Sequence, residues 1–242
     1  SYVGKTILIT GGTGYIGSLL VESFNTIDCT VIVSTDDISN KSTWEDIINN
    51  DIDFIFHLAA QSLVSLSYEN PTKTWETNVF GTLNILEASR KAKIKKFIYA
   101  ASASCYGNPE EIPTKEEAKI KILSPYASTK WISETMVLRL SITQRFPAIS
   151  LRLFNVYGTR SRTSGTYGAV FGVFLADLQV LGYNKNCKMR SCVKRVDFWR
   201  YVVTHLCRPA AGRRKKIHTL FFLGKSQKRN FDLFLGKISR KN

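Results

Sequence analysis

No stretch of this 242-residue chain approaches the ~18 consecutive apolar residues that carry a helix across a bilayer, so a helical membrane protein is excluded. No basic-then-apolar segment opens it, so no secretory signal is read there. Its five cysteines are odd in number and irregular in spacing, which argues against a disulfide framework; a reducing cytoplasm is the compartment expected. No internal repeat and no low-complexity segment is present. An initiator Met is missing too: the chain starts at Ser1, as a trimmed product or a fragment would. Acidic residues are scarce at one end only. Residues 1–176 carry 17 Lys/Arg and 16 Asp/Glu, whereas residues 177–242 carry 17 and 3. The net charge of +15 is therefore a property of the tail. The excess is not confined to a helix face or an arm, so neither nucleic acid nor a membrane surface is the expected partner.

What is present is an alternation of short apolar runs and amphipathic stretches. Thr6–Thr10, Thr30–Ser34, Asp53–Leu58, Lys96–Ala100 and Ala148–Phe154 read as strands. Tyr15 to about Asn25, Ser42–Asn50, Thr72–Lys93 and Pro125–Phe146 read as helices, with Ser42 as a cap and Glu45 three residues on. This order predicts an α/β fold, a doubly wound parallel sheet with helices on both faces.

Two motifs about 110 residues apart carry the chemistry. The first, Gly11-Gly12-Thr13-Gly14-Tyr15-Ile16-Gly17, follows a strand and opens a helix. Gly11 permits the tight turn, Gly14 lets backbone approach a phosphate, and Gly17 lets the helix pack on the sheet. The N–H groups at Tyr15 and Ile16 then face the pyrophosphate of a dinucleotide with the positive end of the helix dipole. The second motif, Tyr126-Ala127-Ser128-Thr129-Lys130, puts a phenol and an ammonium one helical turn apart. A tyrosine is a poor base at its usual pKa of ~10. A nearby ammonium favours the phenolate and is expected to lower that value.

These motifs come with others in a fixed order: His57-Leu58-Ala59-Ala60-Gln61, Asn78-Val79-Phe80-Gly81-Thr82-Leu83-Asn84, Ser102-Ala103-Ser104-Cys105-Tyr106-Gly107, Ser124-Pro125-Tyr126 and Arg152-Leu153-Phe154-Asn155-Val156-Tyr157-Gly158. Over residues 5 to about 176 the chain resembles the extended short-chain dehydrogenase/reductases, in particular the NAD-dependent nucleotide-sugar epimerase/dehydratase group similar to UDP-glucose 4-epimerase. The resemblance implies NAD as cofactor, a nucleotide sugar as substrate, and a homodimer packed through the helices of Asn78 and Tyr126. It implies that Ser102 holds the reacting hydroxyl, Tyr126 is the general acid/base, and Lys130 holds the nicotinamide ribose and tunes Tyr126. Leu58, Ala59 and Ala60 pass beside the adenosine ribose and phosphates. Phe154 and Val156 lie at the nicotinamide edge, and Asn155 reaches a sugar-nucleotide phosphate. Ser104 joins Ser102, Tyr126 and Asn155 as a substrate contact. Asn78 supports the sheet, and His57 and Cys105 are packing residues. No metal is implied.

Dehydratases of the group carry an Asp-Glu pair immediately after the Ser/Thr, and decarboxylases a Glu in the second place, for additional proton transfers. Here those places hold Ala103 and Ser104, which favours epimerisation by transient oxidation to a keto sugar and re-reduction. A dehydratase or reductase, or a non-catalytic dinucleotide-binding module, is the alternative. Two departures stand out. Between Ser34 and Ile38 the chain is short, by as much as a strand. Asp37-Ile38 is similar to the pair that faces adenine, while Asp36 could be the ribose acid that excludes a 2′-phosphate. After Ala176 the family pattern survives only in fragments, such as Arg195-Val196-Asp197-Phe198. The expected division is a Rossmann domain over 1–160 and a truncated or aberrant substrate lobe over 161–242. The tail from 177 reads as a partly out-of-frame or degraded segment, with a genuine basic extension as the rival.

Overall fold

The computed structural model describes residues 2–40, 44, 45, 48, 51–111, 113–154 and 156, and the backbone of 217–220. The chain divides into two units. The first, Ser1–Phe154 with Phe198–Leu220, holds the sheet. The second, Asn155–Asp197 with Phe221–Asn242, lies outside the described residues apart from Val156.

Six strands form one sheet: β1 (Thr6–Thr10), β2 (Thr30–Ser34), β3 (Phe54–His57), β4 (Lys96–Ser102), β5 (Ala148–Leu153) and β6 (Ile217–Leu220). All neighbours run parallel, in the order β2-β1-β3-β4-β5-β6. A parallel sheet needs cover on both faces, and the period-2 alternation of side chains supplies two cores. Ile7, Ile9, Phe54, Phe56 and Ile98 point to one, packed against Leu20 and Phe24 of α1 (Tyr15–Phe24). Leu8, Ile55, Phe97 and Tyr99 point to the other, with Trp44, Ile48, Ile85, Leu86 and Val137. Each such side chain, fully buried, contributes about 1.5–3 kcal/mol.

The connections after β1 and after β2 place their strands on opposite sides of β1, which makes the β1/β3 gap the switch point where such sheets take ligands. Beyond β2 the described residues supply no further strand, in keeping with the short segment after Ser34. Strand β4 runs two residues past Ala100, so Ser102 is its last residue, level with Leu153 of β5.

The long helical stretch expected over 72–93 is continuous over 71–91 but is not α-helical throughout. It comprises α3 (Pro71–Trp75), a π-helical turn at Glu76–Phe80, and α4 (Gly81–Lys91), preceded by a short α2 (Val64–Glu69) that the sequence did not suggest. Gly81 is required at the join, because a Cβ there would stand 2.6 Å from Ile38 Cγ1. Helix α5 (Pro125–Thr143) starts on the Ser124 side chain, which accepts from the Ala127 N–H, and stops before Arg145, whose φ of +54° cannot continue a helix. Trp44, Glu45 and Ile48 are helical as expected, while Ser42 lies outside the described residues. Strand β6 falls in the tail read as a partly out-of-frame or degraded segment, and it extends the sheet beside β5. No helix among the described residues is long and apolar enough to cross a membrane.

Candidate active site

The glycine loop lies at the switch point. Gly11 has a φ of +69°, and an added Cβ would meet the Ala59 N and Cα at 2.8 and 2.9 Å, so only glycine lets the Leu58–Ala59 backbone come this close. The Ala59 N–H donates to Thr10 Oγ1 at 3.3 Å, tying the ends of β1 and β3. A Cβ on Gly17 would overlap the Gly11 carbonyl and stand 2.6 Å from Gly12 Cα, which is how the first turn of α1 folds back over the loop. Gly14 is the N-cap and supplies no side chain to the helix start. Half-buried Tyr15 and Ile16 open the helix, and half-buried Leu58, Ala59 and Ala60 line the end of β3. A helix start without a side-chain cap leaves backbone N–H groups and the positive end of the helix dipole open to an anion.

Past β2 the three residues read as adenosine contacts separate. Exposed Asp36 accepts from Ser34 Oγ at 2.6 Å and its N–H returns to the same oxygen at 3.1 Å. Asp37 is taken up by Ser39, whose N–H and Oγ donate at 2.9 and 2.7 Å, and by Lys73 at 3.7 Å. Those bonds from Ser39, backbone first, hold its carboxyl below the usual range. Ile38 is buried, and its carbonyl accepts from Asn84 Nδ2 at 3.3 Å.

The chemistry-bearing set meets at the ends of β4 and α5. Ser102 caps the 3-10 turn Ala103–Tyr106 by accepting from the Ser104 N–H at 3.2 Å, and its hydroxyl faces the Tyr126 phenol. Burial pushes the Tyr126 phenol up, and hydrogen bonding from Ser102 pulls it back in part. This reverses the direction expected from the Tyr-Lys spacing, because desolvation disfavours the phenolate more than any partner present favours it. Lys130 is only 5% exposed, and its ammonium stands 4.4 Å from the centre of the Tyr99 ring. Burial lowers it to about 7, against an opposing pull from Glu134. Ser104 Oγ is buried without a hydrogen-bond partner among the described residues. Phe154 stacks on Tyr106 at 6.3 Å. Val156 is half-buried, and Asn155 lies outside the described residues.

His57 is a packed residue. Its Nδ1 is 2.7 Å from Thr10 Oγ1 and its Nε2 is 3.0 Å from Thr82 Oγ1, which itself donates to the Asn78 carbonyl at 2.6 Å. Nε2 therefore carries the proton, and Nδ1 accepts. The Asn78 carbonyl, inside the π turn, also takes Ser133 Oγ at 2.7 Å, while the Asn78 amide donates to the Gln61 carbonyl and to Thr129 Oγ1, each at 3.0 Å. Asn78 thus ties β3's exit to α5. Burial first, and then Lys130, lower His57 to about 3 from 6.5. Between those values the unfolded chain binds the proton that the folded chain refuses. The stability due to neutral His57 is complete above pH 6.5 and falls by up to about 1.4 kcal/mol per unit as pH drops toward 3. Urea unfolding at pH 7 and pH 5 should show this loss, and a folded His57→Gln variant should show a shallower one.

The sequence reading passed over Glu134 and Arg152, which are 1% and 3% exposed. Arg152 Nε donates to both Glu134 oxygens at 3.0 Å, and Nη1 donates to Tyr106 Oη at 2.7 Å and to the Glu116 carbonyl at 3.1 Å. The available signal was the spacing: Glu134 is one turn beyond Lys130, and Arg152 is two residues before Phe154. Cys105, read as packing, is buried, and its thiol is pushed up to about 11 by that burial. No His/Cys/Asp/Glu cluster suited to a metal occurs among the described residues.

A parallel sheet that reverses at a glycine cradle and ends in a Ser/Tyr/Lys set defines a dinucleotide-binding α/β protein of the dehydrogenase/reductase type. A model of the NAD dependent epimerase/dehydratase family matches residues 7–217, and the chain belongs to that family. The match continues past Ala176, where the motif pattern fades. Among relatives, the UDP-glucose 4-epimerase of Mycolicibacterium smegmatis is 32% identical over 188 residues, 67% of this chain and 60% of that protein. That of Streptomyces lividans is 31% identical over 171 residues, 62% and 52%. Of solved structures, a UDP-N-acetylglucosamine 4-epimerase from Methanobrevibacter ruminantium superposes with a TM-score of 0.68 at 26% identity, covering 74% of this chain and 64% of that one. The Thermus thermophilus UDP-glucose 4-epimerase in complex with NAD gives 0.63 at 30%, with 71% and 60% covered. The chain thus spans between half and two thirds of the length of these relatives.

Proposed function

We propose that this chain carries the catalytic part of an NAD-dependent nucleotide-sugar epimerase. The observation that carries the reading is the convergence of Ser102, Tyr126 and buried Lys130 at one end of a sheet whose switch point holds the glycine cradle. The family and the epimerase relatives support it. The cradle fits a dinucleotide: Gly11, Gly14, Tyr15, Ile16 and Gly17 would hold the pyrophosphate, Leu58, Ala59 and Ala60 would flank the adenosine, and Phe154 and Val156 would lie at the nicotinamide. When bound, NAD supplies a reversible acceptor for the hydride of a carbinol carbon. Ser102 holds the substrate hydroxyl, Tyr126 removes its proton, and Lys130 supplies the positive charge that favours the phenolate. The keto sugar turns before Tyr126 returns the proton. Ser104 offers its unpartnered hydroxyl to the sugar, and with no acid at 103 or 104 the additional proton transfers of a dehydratase lack a donor. Asn155 is assigned to the nucleotide phosphate.

We assign residues 1–160 to the coenzyme domain and 161–242 to a reduced substrate lobe in a cytoplasmic protein. A second copy would cover Phe80, Leu83 and Ile142, which are 55%, 40% and 63% exposed on the π turn, α4 and α5. The test is incubation of the full chain with NAD and UDP-glucose, followed by separation of the sugar nucleotides. Appearance of UDP-galactose supports the reading. Bound NAD with no change in any UDP-sugar offered leaves a dinucleotide-binding module. Asp36 is the acid placed to exclude a 2′-phosphate. Asp36→Ala should move the ratio of NADP to NAD affinity toward NADP by about tenfold, or ~1.4 kcal/mol, measured by titration with the reduced coenzymes.

A further inference from the structure

Lys130 is buried with no carboxylate within ion-pair distance among the described residues, and its ammonium stands over the face of Tyr99. The charged and titratable groups around it come from four elements. His57 faces it from β3 and is neutral through the physiological range. Tyr99 faces it from β4, and burial keeps that phenol protonated. Arg152 stands on β5. On α5 itself there are Tyr126, one turn before, and Glu134, one turn after. Of these, only Glu134 offers a negative charge.

Burial pushes the Glu134 carboxyl above its ordinary range, and the Arg152 guanidinium is the largest pull back toward the charged form. Both carboxyl oxygens accept from Arg152 Nε, and the guanidinium is fixed in turn by Tyr106 Oη and the Glu116 carbonyl. It also lies 5.0 Å from the Tyr106 ring and 5.3 Å from the Trp131 ring. A carboxylate held at both oxygens this way does not swing, and the guanidinium opposes the protonation that burial favours. Its attraction raises Lys130 against the burial that lowers it. The i, i+4 spacing keeps the two on one helix face whatever the rest of the site does.

We propose that Glu134 is a positioning residue of this site: clamped by Arg152, its carboxylate is the fixed counter-charge of the buried Lys130 ammonium. The inference rests on the reading of Ser102, Tyr126 and Lys130 as the catalytic set, and it assigns that set a fourth, buried member that touches neither coenzyme nor sugar.

The test reads Lys130 directly. The full chain is labelled with 13C-lysine, the Lys130 ε-carbon is assigned from Lys130→Arg, and its shift is followed from pH 5 to pH 10. In Glu134→Gln the midpoint should fall by about one unit or more, and Glu134→Asp should restore most of it. A merely structural Glu134 would change the unfolding midpoint and leave the titration in place. An unchanged Lys130 midpoint in folded Glu134→Gln overturns the proposal. Should that variant not fold, Glu134→Gln with Arg152→Met removes the pair without stranding the guanidinium, and the same fall is required of it. The measurement needs no coenzyme. A wild-type chain that neither holds NAD nor interconverts sugars, yet shows the fall, sinks the epimerase reading and leaves the counter-charge standing. In an active chain the alkaline limb of kcat should move down with the midpoint.

Discussion

Tyr126→Phe will lose about 10²–10⁴ of kcat for sugar interconversion, the range one well-placed acid/base group supplies. One oxygen is removed. The ring keeps its half-buried place on α5, so stability should change by less than about 1 kcal/mol, as conservative changes outside the tight core do. Coenzyme affinity should hold as well, because the cradle at Gly11–Gly17 lies on β1 and α1. The consequence is specific: Ser102 loses its hydroxyl partner, and the substrate proton has no acceptor in reach of buried Lys130. Turnover at the wild-type rate in a folded Tyr126→Phe protein refutes the assignment. Loss of turnover together with loss of fold would instead make Tyr126 a packing residue. Thermal melting and NADH titration of the same sample distinguish these results.

The residues that could be read from sequence are those whose role is local. The strand before Gly11, the glycine spacing and the four-residue step from Tyr126 to Lys130 are set by neighbours in the chain, and the structure places them accordingly. What escaped depends on contacts across the chain. Nothing near Glu76 marks a π turn, since it is held by Asn78 reaching Gln61, Thr129, Thr82 and Ser133. The Glu134–Arg152 pair joins residues 18 apart on different elements, and each alone resembles an ordinary charged residue. The direction of the Tyr126 shift could not be read either. Spacing shows that an ammonium is one turn away, but not that the phenol is desolvated or that Lys130 lies over Tyr99. Strand β6 was hidden because β-pairing at a sheet edge needs only backbone, and residues 217–220 carry no alternation strong enough to announce it.

Arg152→Ala should destabilise the chain by about 3–5 kcal/mol, the cost of breaking a buried ion pair from one side, with the carboxylate of Glu134 left without its guanidinium partner in a site that is 1% exposed. The loss is compounded because Tyr106 Oη loses the Arg152 donor, because the Glu116 carbonyl loses one of its donors and keeps the Tyr106 hydroxyl, and because the cation leaves its place near the Tyr106 and Trp131 rings. Urea unfolding gives the number directly. The pair itself is a different matter. Replacing both charges, as in Glu134→Gln with Arg152→Met, removes the desolvation cost along with the attraction and should leave stability within about 2 kcal/mol of wild type. If that double variant is nearly as stable as the parent but titrates Lys130 at lower pH, stability alone cannot account for two ions buried behind the helix of Tyr126 and Lys130. The side chains that Arg152 joins belong to the turn after Ser102, the helix of Tyr126 and Lys130, and the strand that leads to Phe154. Holding those three segments in register and supplying Lys130 with a counter-charge are then one structural feature, and the clamp is explained by the site it surrounds.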